Sequence, residues 1–225
     1  MKTLNFLFLG ITVFLLAPLN AQCQYTALGS WNITNVKYKI NERWFVYGEG
    51  QLRSLQFYDD FHYFEYSGGV NYKLSKNMNL AFAIGDYNTF SEGGNFVRPK
   101  KNNEIRTGLQ ITLLQNLWKV NIEHRYRAEQ RFTTNGFRNR FRYRINAKVP
   151  FGKELTNSKF YATINNEIFF TDKEPYFERN RFMYGIGYRL NNSLTVQAGH
   201  MYQFDYKIFD ETGRGFFQVA LLFEL

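Results

Sequence analysis

Charged side chains recur at every second residue through two adjacent segments between Leu117 and Val149. In the first, Lys119, Asn121, Glu123, Arg125, Arg127, Glu129 and Arg131 alternate with Trp118, Val120, Ile122, Tyr126, Ala128 and Phe132. In the second, Arg138, Arg140, Arg142, Arg144, Asn146 and Lys148 alternate with Phe137, Phe141, Tyr143, Ile145, Ala147 and Val149. Guanidinium and carboxylate groups at this spacing can pair with one another, line a path for counter-ions, or grip an anionic partner. In a strand a period of two sends each set to its own face, one ionic and one apolar and aromatic. Carried to the neighbouring segments, the ionic face comprises Glu49, Arg53, Glu65, Glu104, Arg106, Glu123, Arg125, Arg127, Glu129, Arg131, Arg138, Arg140, Arg142, Arg144, Glu167, Arg179 and Arg181, eleven arginines against six glutamates. An arginine on the lipid face of a barrel costs roughly 2–4 kcal/mol at the midplane, so a strict segregation of this kind predicts a membrane barrel with the ionic face in its lumen. Two readings of that lumen stay open: a plug of cross-strand ion pairs, and a narrow anion-preferring passage.

Other chemistries have less support. His62, His124 and His200 all fall on the apolar face in this register, the side on which a lipid hydrolase or acyltransferase of the outer membrane would carry a Ser–His pair. The residues two further along are Phe64, Tyr126 and Tyr202, so no serine shares a face with its histidine locally. A lipid-modifying enzyme is therefore an alternative with no catalytic residue to name. Histidine, cysteine and acidic residues show no metal-ligand spacing, Asp59-Asp60 reads as a solvated loop, and no glycine-rich phosphate cradle precedes a helix; neither metal nor cofactor is expected. The 28 Lys+Arg against 19 Asp+Glu, with 24 Phe and 16 Tyr, resemble the composition of a nucleic-acid binder. Strict alternation of arginines with lipid-type residues argues against that partner.

These side chains need strands to hold them, and the chain supplies segments of one kind. Residues 1–21 read first as a cleaved signal peptide, with Lys2 in its basic region, Leu4 to Leu16 as its apolar region and Leu19-Asn20-Ala21 before the cut; a retained anchor and lipidation at Cys23 are weaker alternatives. Loss of Lys2 takes the formal charge from +9 to about +8. The single cysteine leaves no internal disulfide. Mean hydropathy is −0.42, and after residue 21 no apolar run approaches the ~20 residues of a spanning helix.

One domain, 22–225, is expected, with strands over Gly29–Ile40, Trp44–Gln56, His62–Leu74, Met78–Phe90, Asn103–Leu114, Leu117–Phe132, Phe137–Val149, Lys159–Thr171, Glu178–Leu190, Leu194–Tyr206 and Gly213–Leu225. Bacterial barrels usually have an even strand count, so a further strand in 22–28 would make twelve; loss of one candidate would make ten. The fold class is an all-β antiparallel transmembrane barrel, with twelve strands favoured. Tight polar turns at Asn41-Glu42-Arg43, Ser75-Lys76-Asn77, Gln115-Asn116 and Asn191-Asn192-Ser193 place the C-terminus in the periplasm, since the longer links Ser91–Asn102 and Lys207–Thr212 lie opposite. Trp44 and Trp118 then fit a periplasmic aromatic girdle, and Phe57, Tyr58, Phe90, Phe132, Phe137, Tyr176 and Phe177 an outer one.

The Trp-initiated second strand, the phrase Glu123-His124-Arg125-Tyr126-Arg127-Ala128-Glu129-Gln130-Arg131-Phe132, the ladder Arg138 to Arg144, Asn166-Glu167, and Asn180-Arg181 before Tyr184-Gly185 together resemble the outer-membrane barrel family catalogued as domain of unknown function 2490. That resemblance covers the mature chain and implies a location and a fold, with no activity attached to any residue. The last strand, with Phe217, Val219, Leu221, Phe223 and Leu225 on one face, resembles the signal read by the barrel-insertion machinery. Expected partners are that machinery, outer-membrane lipids and small anionic solutes. The expected function is that of an integral outer-membrane barrel, with a narrow anion-preferring pore as the first reading and a lipid-modifying enzyme or a plugged structural barrel as alternatives.

Overall fold

Extended backbone sends successive side chains to opposite faces, and every stretch with that alternation becomes a strand. The computed structural model describes residues 27–151, 158–208 and 211–225. It contains β1 (Gly29–Lys39), β2 (Trp44–Gln56), β3 (Asp59–Ser75), β4 (Met78–Phe90), β5 (Lys100–Leu117), β6 (Val120–Thr133), β7 (Gly136–Pro150), β8 (Phe160–Thr171), β9 (Phe177–Arg189), β10 (Leu194–Asp205) and β11 (Thr212–Glu224). Neighbours in sequence pair antiparallel, β1 pairs with β11, and the sheet closes into a barrel with no helix among the described residues.

Among the described residues the count is eleven, where twelve was favoured and ten was the alternative. β1 and β11 run parallel, from Gly29 opposite Phe216 to Lys37 opposite Glu224, and this ladder closes the wall without a seam for another strand. An even number is required only if every neighbour is antiparallel; one parallel pair, with its evenly spaced slanted bonds, closes an odd number. Gly29 consequently lies at the end of the barrel opposite Leu225, where an even barrel would put both together. The signal segment 1–21, Cys23 and most of the stretch 22–28 lie outside the described residues.

At the C-terminal rim the connections are 40–43, 76–77, 118–119, 151–159 and 190–193; at the far rim they are 57–58, 91–99, 134–135, 172–176 and 206–211. The contrast between short turns and long loops is thus partial, because 57–58 and 134–135 are as tight as any. The β5–β6 turn also falls later than Gln115-Asn116. Leu117 pairs with Val120, and Trp118 takes a left-handed backbone with φ 55°, 95% exposed at the tip. Favoured two-residue hairpin turns demand positive φ, so Trp118 caps a turn instead of opening a strand.

The wall is apolar outside and ionic inside, as the alternation requires. Leu109 is 66% exposed and Ile186 54%, with Phe82, Phe141, Ile164 and Tyr184 exposed beside them. Arg140, Glu104 and Glu129 are enclosed at 2%, 1% and 3%. Outward aromatics pair at both rims. Phe132 and Phe137 lie 5.2 Å apart and Phe170 and Phe177 5.9 Å apart at the far rim; Trp44 and Tyr72 are separated by 4.7 Å and Phe160 and Tyr188 by 4.5 Å at the C-terminal rim.

Large inward side chains bend over small ones on the next strand. A Cβ added at Gly187 would lie 2.0 Å from the ring of Tyr161, its partner on β8. Gly187→Val is therefore expected to destabilise the barrel by ~1–3 kcal/mol in urea titration. Adding Tyr161→Ala should restore most of that loss, and a double variant no more stable than the single one would refute the contact.

Candidate functional site

The lumen gathers the charged face of nearly every strand. Fifteen of the seventeen residues on the expected ionic face line one cavity of about 610 Å³. Glu129 is shut off from it by its own partners, and Arg138 stands at the far rim opposite Arg131. The register sets three arginine pairs directly opposite one another on β6 and β7: Arg125 with Arg144, Arg127 with Arg142, and Arg131 with Arg138. Like charges so placed repel, and the strands hold them by sharing carboxylates.

Glu129 receives Arg140 at 2.5 Å, Arg142 at 2.6 Å and Arg127 at 3.5 Å. Glu167 receives Arg125 at 2.6 Å and Arg142 at 2.8 Å. Glu104 holds Arg106 at 2.7 Å and Arg131, and Glu123 holds Arg144 at 2.5 Å. Arg53 meets Glu65 at 3.1 Å. Glu49 accepts only amides, from Asn35 at 3.0 Å and Gln51 at 2.7 Å, and Arg138 forms no ion pair among the described residues. Arg140, Arg142 and Arg144 thus have the carboxylate partners that a plug of ion pairs requires, and among the described residues Arg138 does not.

Two acidic members of the lumen were not on the expected ionic face. Glu178 bridges Arg131 at 3.0 Å and Arg140 at 3.3 Å, although simple period two sends it outward beside Arg179. Phe169 pairs with Arg179 and Phe170 with Phe177, so Glu178 is the extra residue of a β-bulge. Bulges re-aim side chains in this way, and no single-strand pattern marks them. Asp205, which pairs with Arg179, is in phase with Met201 and Gln203, so the signal for it was present in β10. A second bulge corrects a histidine. Arg53 pairs with Tyr63 and Ser54 with Phe61, leaving His62 unpaired and turned into the lumen, not on the apolar face.

His124 and His200 do face outward. His124 Nδ1 lies 2.9 Å from the Tyr143 hydroxyl, with Leu113 and Ile145 as strand partners; His200 packs on Tyr184 at 5.6 Å, with Phe217 on its other side. Asp59 and Asp60 staple the 91–99 loop: Asp60 accepts the N–H groups of Gly93 and Gly94 at 2.8 and 3.1 Å, and Asp59 the Asn95 amide at 2.9 Å. Among the described residues no three His, Cys, Asp or Glu side chains converge as metal ligands would.

Aromatic rings occupy inward positions that alternation alone left unassigned, because both Phe169 and Phe170 are phenylalanine and either fits either face. Phe169 is wholly enclosed, with the guanidinium of Arg142 4.7 Å, Arg181 4.8 Å, Arg140 5.4 Å and Arg179 5.8 Å from its ring centre. Trp31 has Arg53 at 3.6 Å and Arg181 at 4.8 Å; Arg106 lies 3.7 Å from Tyr87. Rings of this kind offset guanidinium charge without a carboxylate. The cavity wall still carries twelve Lys and Arg against seven Asp and Glu, an excess of positive charge enclosed in a low-dielectric wall.

A family profile described as a protein of unknown function (DUF2490) matches residues 28–212. No curated protein and no solved structure matches the chain.

Proposed function

The chain belongs to the DUF2490 family of proteins of unknown function, and from that premise, with no activity to inherit, we propose that it is an integral β-barrel of the bacterial outer membrane whose basic lumen is a narrow passage for small anions. The observation that carries the membrane assignment is the inversion of the two faces. Leu109, Phe82, Phe141 and Ile186 project from the middle of the wall into the surroundings while Arg140, Glu104 and Glu129 are enclosed. A contiguous apolar exterior of this extent is unfavourable in water and natural in hydrocarbon, where a closed barrel also satisfies every backbone group. Paired aromatics at both rims match the two interfaces. On this reading the segment 1–21 is the cleaved export signal and the C-terminal rim faces the periplasm.

The anion preference rests on the excess of positive charge lining the cavity. The ion pairs around Glu129, Glu167 and Glu104 narrow the bore, so unit conductance is expected to be small. In planar bilayers the purified barrel should give reversal potentials on the anion side in a salt gradient. A cation-side potential, or a large unselective conductance, would overturn the passage. The ion-pair network also favours a second reading, a barrel plugged at rest, for which the same recordings would show no steps at all. Recovery of the protein in the soluble periplasmic fraction, with no heat-modifiable band in detergent gels, would overturn the membrane assignment.

A further inference from the structure

The lumen divides its arginines into two populations. Those on β5, β6 and β7, Arg138 apart, spend at least one terminal nitrogen or their Nε on a carboxylate, as Arg142 does on Glu129 and Glu167. Arg181 on β9 does not: among the described residues no carboxylate lies within ion-pair distance of it, and its side-chain hydrogen bond runs from Nε to Gln203 Oε1 at 2.9 Å. Its neighbour Glu167, directly opposite on β8, is already engaged by Arg125 and Arg142. Arg181 is nevertheless buried, at 7% exposure, and borders the cavity.

Its surroundings hold the guanidinium in place and leave its outer edge free to donate. Gln203 fixes Nε and is itself anchored by donating to Asp205 at 2.6 Å. Trp31 and Phe169 each stand 4.8 Å from the Arg181 guanidinium carbon. Among the described residues neither terminal nitrogen of Arg181 has a hydrogen-bond acceptor, and the side chain borders the cavity. Across the parallel seam, Arg53 lies 3.6 Å from the centre of the same Trp31 ring. One of its terminal nitrogens donates to Gln51 at 2.8 Å and to Glu65 at 3.1 Å, while its Nε is buried without a partner. Two guanidiniums thus stand against one indole at the edge of the cavity, and a fork of N–H donors suits the two oxygens of a carboxylate or phosphate better than it suits a spherical halide.

The geometry points to an oxyanion-binding subsite between Arg181 and Arg53, beside Trp31, that takes a carboxylate or phosphate group. It rests on the reading of the lumen as a basic anion chamber and gives that chamber a chemical preference. Partial desolvation strengthens such a site, because an unpaired buried guanidinium gains most from an anion that replaces its lost water. It also accounts for an arginine that is enclosed without a counter-charge.

The test uses the full barrel refolded in detergent and titrated calorimetrically with sodium acetate, inorganic phosphate and sodium chloride at constant ionic strength. Acetate is expected to bind at least tenfold more tightly than chloride at equal charge, and phosphate binding would extend the subsite to that class; acetate without phosphate restricts it to carboxylates. Arg181→Gln should reduce oxyanion affinity at least tenfold. It unpairs no carboxylate, so the variant should retain the wild-type unfolding midpoint, and Arg181→Lys, which keeps the charge but loses the fork, should bind as weakly as Arg181→Gln. Arg43→Gln, on the exposed 40–43 turn where Arg43 donates to Tyr72, controls for net charge. Equal affinity for chloride and acetate, or wild-type affinity in Arg181→Gln, would overturn the subsite. Because binding is read in detergent, a barrel that binds acetate but passes no current would sink the passage and leave the subsite standing.

Discussion

Arginine in place of Leu109 is expected to lower the stability of the barrel in a lipid bilayer by ~2–4 kcal/mol, or to stop insertion outright. Leu109 stands mid-strand on β5, opposite Phe82 and Ala128, and points away from the lumen. Were the protein a soluble barrel, the same change at a 66% exposed position would be close to neutral, within about 0.5 kcal/mol. The prediction therefore separates the two solvents by at least ~1.5 kcal/mol. Trp118→Arg supplies the depth control, because its side chain sits at the tip of a turn and should leave the hydrocarbon region entirely. The measurement is urea unfolding of the protein folded into bilayers of defined thickness. A loss at Leu109 no larger than that at Trp118 would mean that no hydrocarbon surrounds the wall.

Glu129→Gln is the second large effect, expected to remove about 3–5 kcal/mol in the same titration. The carboxylate is 3% exposed and answers Arg140, Arg142 and Arg127 together, so neutralising it leaves three enclosed guanidiniums to repel one another. Arg142 retains Glu167 and Arg140 retains Glu178, which limits the damage to the pairs lost. Adding Arg140→Gln to Glu129→Gln should return part of the stability, since the second change removes one of the uncompensated charges. A loss under about 1 kcal/mol for Glu129→Gln would show that mobile anions, and not this carboxylate, balance the ladder. Raising the salt concentration would then rescue the variant more than the wild type.

Alternation was enough to specify strands, because the two faces of an extended chain are distinguished by residue type alone. Arg138, Arg140, Arg142 and Arg144 against Phe137, Phe141, Tyr143 and Ile145 permit one register, since a slip of one residue would turn four arginines outward. Strand bounds followed to within a few residues, and the sorting of charges into the interior followed with them. What alternation leaves open is everything that depends on a second strand. Glu178 and His62 turn inward at bulges, which exist only where two residues on one strand oppose a single partner on the next. The count of eleven and the parallel closure of β1 on β11 came from how the sheet curls back on itself, a property of the whole circumference and of no single strand.

The same division holds within the lumen. The sequence by itself determined that the interior is ionic and basic, because an excess of arginine over glutamate on one face is a matter of counting. Only the tertiary structure decided which guanidiniums are paired. Cross-lumen contacts such as Arg131 with Glu178, and the sharing of Trp31 by Arg53 and Arg181, join residues far apart in the chain. Side chains from facing walls meet only once closure and shear have set the barrel's bore, and ionic interactions fall off so steeply at contact distances that those few ångströms separate a satisfied arginine from one left open to an anion.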